Sequence, residues 1–234
     1  MTAHPPVHDH TRPGRGAQRF GAALLALTGL FTLGLVTNHP TLGARHDVQA
    51  VAVGIQALAR VDRLVHGLLM LVLCLQAIGF YIFSARLGWR SPAVGAGFTA
   101  FAAGVVVMTI PATLDGFVTP DLAAACLKLS MGCSGADAGA LRLVAVMIQD
   151  FTKLALTLMS AAALGWGLAL VPRGGWLSRI AGVVGLVCAV LPAWVLLTSE
   201  VYLRPGNLAE IIAAQVVWTL AAAAVLLLGG GAKS

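Results

Sequence analysis

Asp62 and His66 stand one helical turn apart, and Gln76 falls on roughly the same face deeper along the chain. Asp150, Lys153, Thr157 and Ser160 repeat at intervals of three, four and three residues, one continuous polar stripe on a second segment. His39, His46 and Asp115 fall at a similar depth to Asp62 and His66, beside neighbouring apolar segments. Asp62, His66 and one of His39, His46 or Asp115 make a chemically possible site for Zn²⁺ or another divalent metal, with a coordination position left for water. The candidate ligands are His66, Asp62 and His39; the wider candidate pocket is Asp62, His66, Asp115, Asp150 and Lys153. The Lys153, Thr157 and Ser160 stripe, given a water path, would equally serve proton or solute transfer. A plainer reading competes with both. Span ends tolerate charged side chains, and Lys153 can snorkel while pairing with Asp150 at i+3. One-sidedness argues for a pocket, since one set of span ends carries Arg anchors and the other gathers carboxylates and imidazoles.

The elements that must hold these groups are transmembrane helices. The 234 residues are 59% apolar and only 10% charged, against roughly 25% charged in an ordinary soluble domain. A mean hydropathy of +0.89 excludes a disordered regulator. The 27 glycines show no triplet period, which excludes a collagen-like rod. Crossing a hydrocarbon core of ~30 Å takes ~20 apolar residues as a helix. Six segments qualify, at about 20–38, 64–84, 92–114, 143–171, 176–199 and 208–229. The first follows a basic segment like a secretory signal, but its apolar run is too long, so it reads as an uncleaved helix.

Cations set the orientation, because Lys and Arg near span ends are retained on the cytoplasmic side. With both termini inside, the inner segments hold Arg12, Arg15, Arg19, Arg86, Arg90, Arg173, Arg179 and Lys233 against one acid, Asp9. The outer segments mix six cations with seven acids. The net charge of +6 is thus largely an inner-loop excess and gives no argument for nucleic acid. Residues 1–19 read as a disordered basic tail, 20–229 as the membrane domain and 230–234 as a flexible tail, with the lipid bilayer as partner and a small molecule or ion as a further one.

Between spans, Val48, Val51, Ile55 and Leu58 recur at helical spacing and predict a short amphipathic outer helix. A second is expected from Thr119 as cap and Pro120 at the first helical position, ending at Gly132. Cys126 and Cys133 share this loop, in what should be an oxidising compartment, and are expected to form a disulfide. Cys74 and Cys188 lie mid-span and read as small apolar core residues. Small residues at Ala96, Ala100 and Gly104, and at Ala181, Gly185, Ala189 and Ala193, predict close helix contacts. Phosphate-binding loops, dinucleotide fingerprints and nucleophile elbows are absent from the sequence.

Asn38-His39-Pro40 closing the first span, His66-Gly67 early in the second with Gly79-Phe80-Tyr81 near its end, and Asp115-Gly116 after the third form a loose pattern. It resembles uncharacterised multi-pass bacterial membrane proteins with a His-Pro, a helix-start His and an Asp-Gly. The resemblance spans roughly residues 20–120. It implies a multi-pass topology and a bacterial inner membrane, and marks His39, His66 and Asp115. The expected architecture is an all-α, six-transmembrane-helix bundle with two short amphipathic outer helices. Its function is expected to be binding or transport of a small solute or ion through an outward-facing polar pocket. A metal-assisted membrane enzyme and an accessory subunit of a membrane complex are the alternatives.

Overall fold

The computed structural model describes residues 13–39, 47–128, 133–198, 203 and 205–229. His46, the histidines at 4, 8 and 10, Gly132 and Glu200 lie outside these. Among the described residues seven α-helices follow one another: α1 Arg15–Thr37, α2 Val48–Leu87, α3 Pro92–Thr113, α4 Thr119–Leu127, α5 Gly135–Leu170, α6 Trp176–Thr198 and α7 Pro205–Leu228. A π-helical turn, Leu114–Val118, joins α3 to α4. Among the described residues six helices, with α3 and α4 taken together, are long and apolar enough to cross a membrane. The chain is an all-helical, multi-pass membrane protein.

Element boundaries differ from the sequence reading where local hydrogen bonds carry a helix past its apolar run. Residues 15–19, read as tail, form the first turn of α1. The first amphipathic segment is the beginning of α2 rather than a separate helix, started by the Asp47 side chain accepting from the Ala50 N–H. With 40 residues, α2 is about 60 Å long at ~1.5 Å per residue, twice the hydrocarbon thickness. Thr119 does not cap α4: its hydroxyl donates to the Leu114 carbonyl, and the helix runs on unbroken through the π turn. α5 begins at Gly135 because Ser134 and Asp137 form a reciprocal capping box.

The long helices close a ring. α1 packs between α2 and α7, α3 between α2 and α5, and α6 between α5 and α7. At the end where α1 begins and α7 finishes, Arg86 donates to the Gln18 side chain at 3.2 Å and to the Gly229 carbonyl at 2.8 Å, tying α2 to both helices. α3 and α5 approach closely on Gly97 and Gly104, where an added Cβ would lie 3.1 Å from the Ala162 and Ala155 carbonyl oxygens. Ala96, expected on this face, is exposed, one residue out of phase. On α6, Ala181, Gly185 and Ala189 are buried and Ala193 is half-buried. Cys188 is buried whereas Cys74 is exposed.

Beyond the opposite end of the ring, the start of α2, α4 and the start of α5 pack into a small cap around Ala52, Ile55, Ala123 and Cys126. Gln56 donates to the Pro120 carbonyl, and Arg63 pairs with Asp121. The structure joins Cys126 to Cys133, with Cα atoms 4.8 Å apart.

Candidate functional site

Where the ring meets the cap, four side chains from three elements converge. Asp62 and His66 come from α2, His39 from the residue pair that closes α1, and Asp115 from the π turn. The π turn brings Asp115 this close because Gly116 follows it: a Cβ there would lie 2.5 Å from His66 Cβ, so only glycine lets this backbone rest on the imidazole.

The imidazole of His66 is fixed from behind. Its Nδ1 lies 2.9 Å from the Asp62 carbonyl oxygen and 3.3 Å from Asp62 Oδ1. A carbonyl only accepts, so Nδ1 carries a hydrogen, and Nε2 is the ring atom turned toward the other side chains, the one that would bind a metal when the ring is neutral. That nitrogen faces His39 Nε2 at 3.4 Å and Asp115 Oδ2 at 3.4 Å, and the remaining edge, His39 Nε2 to Asp115 Oδ2, is 3.8 Å. Side-chain exposure rises outwards, from 7% at His66 and 14% at Asp62 to 26% at His39 and 32% at Asp115.

These edges are long for charge-assisted hydrogen bonds, which run at ~2.7–2.9 Å. The two 3.4 Å edges at His66 match a coordination polyhedron, because bonds of ~2.0–2.1 Å to a tetrahedral ion place its ligand atoms roughly 3.3–3.4 Å apart, and the third edge is wider at 3.8 Å. Among the described residues, His39, His66 and Asp115 form a group able to offer three ligand atoms to one ion. Asp62 stands behind them. Its Oδ1 is buried without a well-directed hydrogen bond, 3.3 Å and 3.5 Å from the two imidazoles, the position of a carboxylate that orients a histidine ligand.

A cavity of about 200 Å³ opens from this cluster into the ring. His39, His66 and Asp115 line its mouth. Leu69, Leu73, Gln76 and Phe80 continue the His66 face of α2 along its wall, which puts Gln76 about 15 Å and Phe80 about 21 Å from His66 at ~1.5 Å per residue. Gln76 is held by donating to Thr219 Oγ1 at 3.2 Å, and Thr219 in turn donates to the Gln215 carbonyl at 2.8 Å. Aromatic rings form the floor: Phe80 stacks on Trp166 at 4.5 Å, and Trp166 lies 6.3 Å from Trp218. Trp166 Nε1 donates to Ser84 Oγ at 3.0 Å, whereas the buried Trp218 Nε1 has no hydrogen-bond partner among the described residues.

Asp150 and Lys153 stand apart from this cavity. The residues before them, Gln149 and Thr152, line it instead, Gln149 fastening the Leu203 backbone with one donated and one accepted bond of 3.1 Å and 2.8 Å. Asp150 is exposed, and no ion pair joins it to Lys153 among the described residues. One helical residue is ~100° of rotation, enough to turn the expected stripe off the interior; of its members only Ser160 is fully buried.

No family model, curated protein or solved structure matches this chain.

Proposed function

We propose that this protein holds a divalent transition metal, Zn²⁺ by ligand preference, on His39, His66 and Asp115, and uses it on a molecule seated in the cavity below. One observation carries the reading: three donor atoms converge, two of their edges at 3.4 Å and the third at 3.8 Å, and the imidazole of His66 is held in direction by a carbonyl and a carboxylate behind its ring. Three protein ligands with an open fourth position are the composition of catalytic rather than structural zinc sites. The metal-assisted membrane enzyme is therefore favoured over solute transport through Asp150 and Lys153. In this reading Asp115 is a ligand and Asp62 orients His66. The ion would polarise an oxygen of the bound molecule or lower the pKa of a bound water. In this reading the site lies on the outer side of a bacterial cytoplasmic membrane with both termini inside, a placement supported by the Arg excess of the inner sequence segments.

A ligand that binds only the folded protein stabilises it, by about 2.7 kcal/mol when its concentration is a hundred times Kd. Metal-stripped protein in detergent should unfold at a higher temperature as Zn²⁺ is added, and His39→Ala should lose the response. Equal responses from both proteins would place the metal elsewhere. No response from wild type would leave His66 as an imidazole held between Asp62 and Asp115, without a metal.

A further inference from the structure

The cavity is longer than a metal site needs, and its wall changes character below the mouth. Between the cluster and the floor the wall is largely apolar, with Leu73 of α2, Met108 of α3 and Ile212 and Val216 of α7, while the Thr32 and Gln215 side chains that share it donate to the Thr28 and Leu156 carbonyls. The Gln76 amide at mid-depth is already bonded to Thr219. A hydrated ion or polar solute would shed its water there for apolar walls, whereas a hydrocarbon chain loses nothing by entering and meets deformable Met108 and Met159. The ring of helices that encloses the space stands in a membrane, a reservoir of such chains.

We propose that the cavity takes the acyl chain of a single-chain amphiphile whose carboxylate or carboxyl-ester head lies at the His39, His66 and Asp115 cluster. The position of the head rests on the metal reading above, because a carboxyl oxygen beside Asp115 and Asp62 needs a cation between them; the position of the chain does not. Trp218 Nε1 offers a hydrogen bond to a head at the floor, so the two ends of the chain are distinguishable by experiment.

The test uses the tryptophans of the floor. Trp89, Trp176 and Trp194 are exposed; changing these three to Phe leaves Trp166 and Trp218 as the emitters. In detergent without bromine, 12-bromododecanoate should quench this emission saturably and unlabelled dodecanoate should reverse the quenching. 2-Bromododecanoate, with bromine at the head, should quench at most half as much. Leu73→Phe, or Ile212→Phe should the first not fold, should raise the half-quenching concentration at least tenfold. Quenching that never saturates and ignores the filling substitutions would overturn the proposal. Stronger quenching by the 2-bromo acid would place the head at the floor and overturn the assigned orientation. Zn²⁺ stoichiometry measured on the same preparation separates the two readings. Metal without saturable quenching removes the chain alone. Saturable quenching without metal removes the metal and the head contact but keeps the chain.

Discussion

Among the residues, what decides metal binding is which nitrogen of His66 faces the cluster. Asp62 supplies both acceptors behind Nδ1, and orienting partners of this kind typically change metal affinity 10–100-fold when removed. Asp62→Asn should therefore weaken Zn²⁺ binding by about that factor while leaving one site per chain, as equilibrium dialysis against a competing chelator would read. The i+4 pair itself was legible, because helical spacing puts Asp62 and His66 on one face. Its division of labour was not: the partner of Nδ1 is a backbone carbonyl, invisible in residue types. That His39 and Asp115 converge on His66 depends on contacts between helices far apart in sequence, so the chain alone left His39, His46 and Asp115 as alternatives. Asp150 and Lys153 show the limit of periodicity, which gives a stripe but not the direction in which it faces. Gln149 and Thr152 carried no charge to single them out.

The π turn and the α2–α5 contact decide the site at the scale of elements. Gly116→Ala would force a Cβ into His66, an overpacking that costs about 1–3 kcal/mol. It should lower both the unfolding temperature and metal occupancy, and Gly95→Ala, which meets no neighbouring atom within 4 Å, should change neither. Ser84→Ala would leave the Trp166 N–H buried without a partner, a loss of about 1–3 kcal/mol. Thermal unfolding in detergent measures it, with Trp166→Phe in the Ser84→Ala background expected to recover less than the full loss because the stacking area shrinks. Six apolar spans were readable from length and composition alone, since lipid satisfies no backbone amide. The joints were harder. The Ser134-x-x-Asp137 capping box was a local signal for the early start of α5, whereas the continuity of α3 through a π turn into α4 has no residue signature beyond Asp115-Gly116.

For the whole molecule, the ring of helices sets a polar mouth against a largely apolar interior, and the proposed orientation puts that mouth on the outer side. Reporter fusions at residues 88 and 174 should be active only as cytoplasmic reporters; periplasmic activity at either would reverse the molecule in the membrane. Whether the cluster holds a metal is decided by equilibrium dialysis of purified, metal-stripped protein against Zn²⁺, with bound metal counted by mass spectrometry for wild type, His39→Ala, His66→Ala and Asp115→Asn. Helical content is checked by circular dichroism for each. The account predicts one Zn²⁺ per wild-type chain and well under half of that in each variant of undiminished helicity. A folded wild-type protein that retains no metal, or three variants that retain as much as wild type, would contradict it.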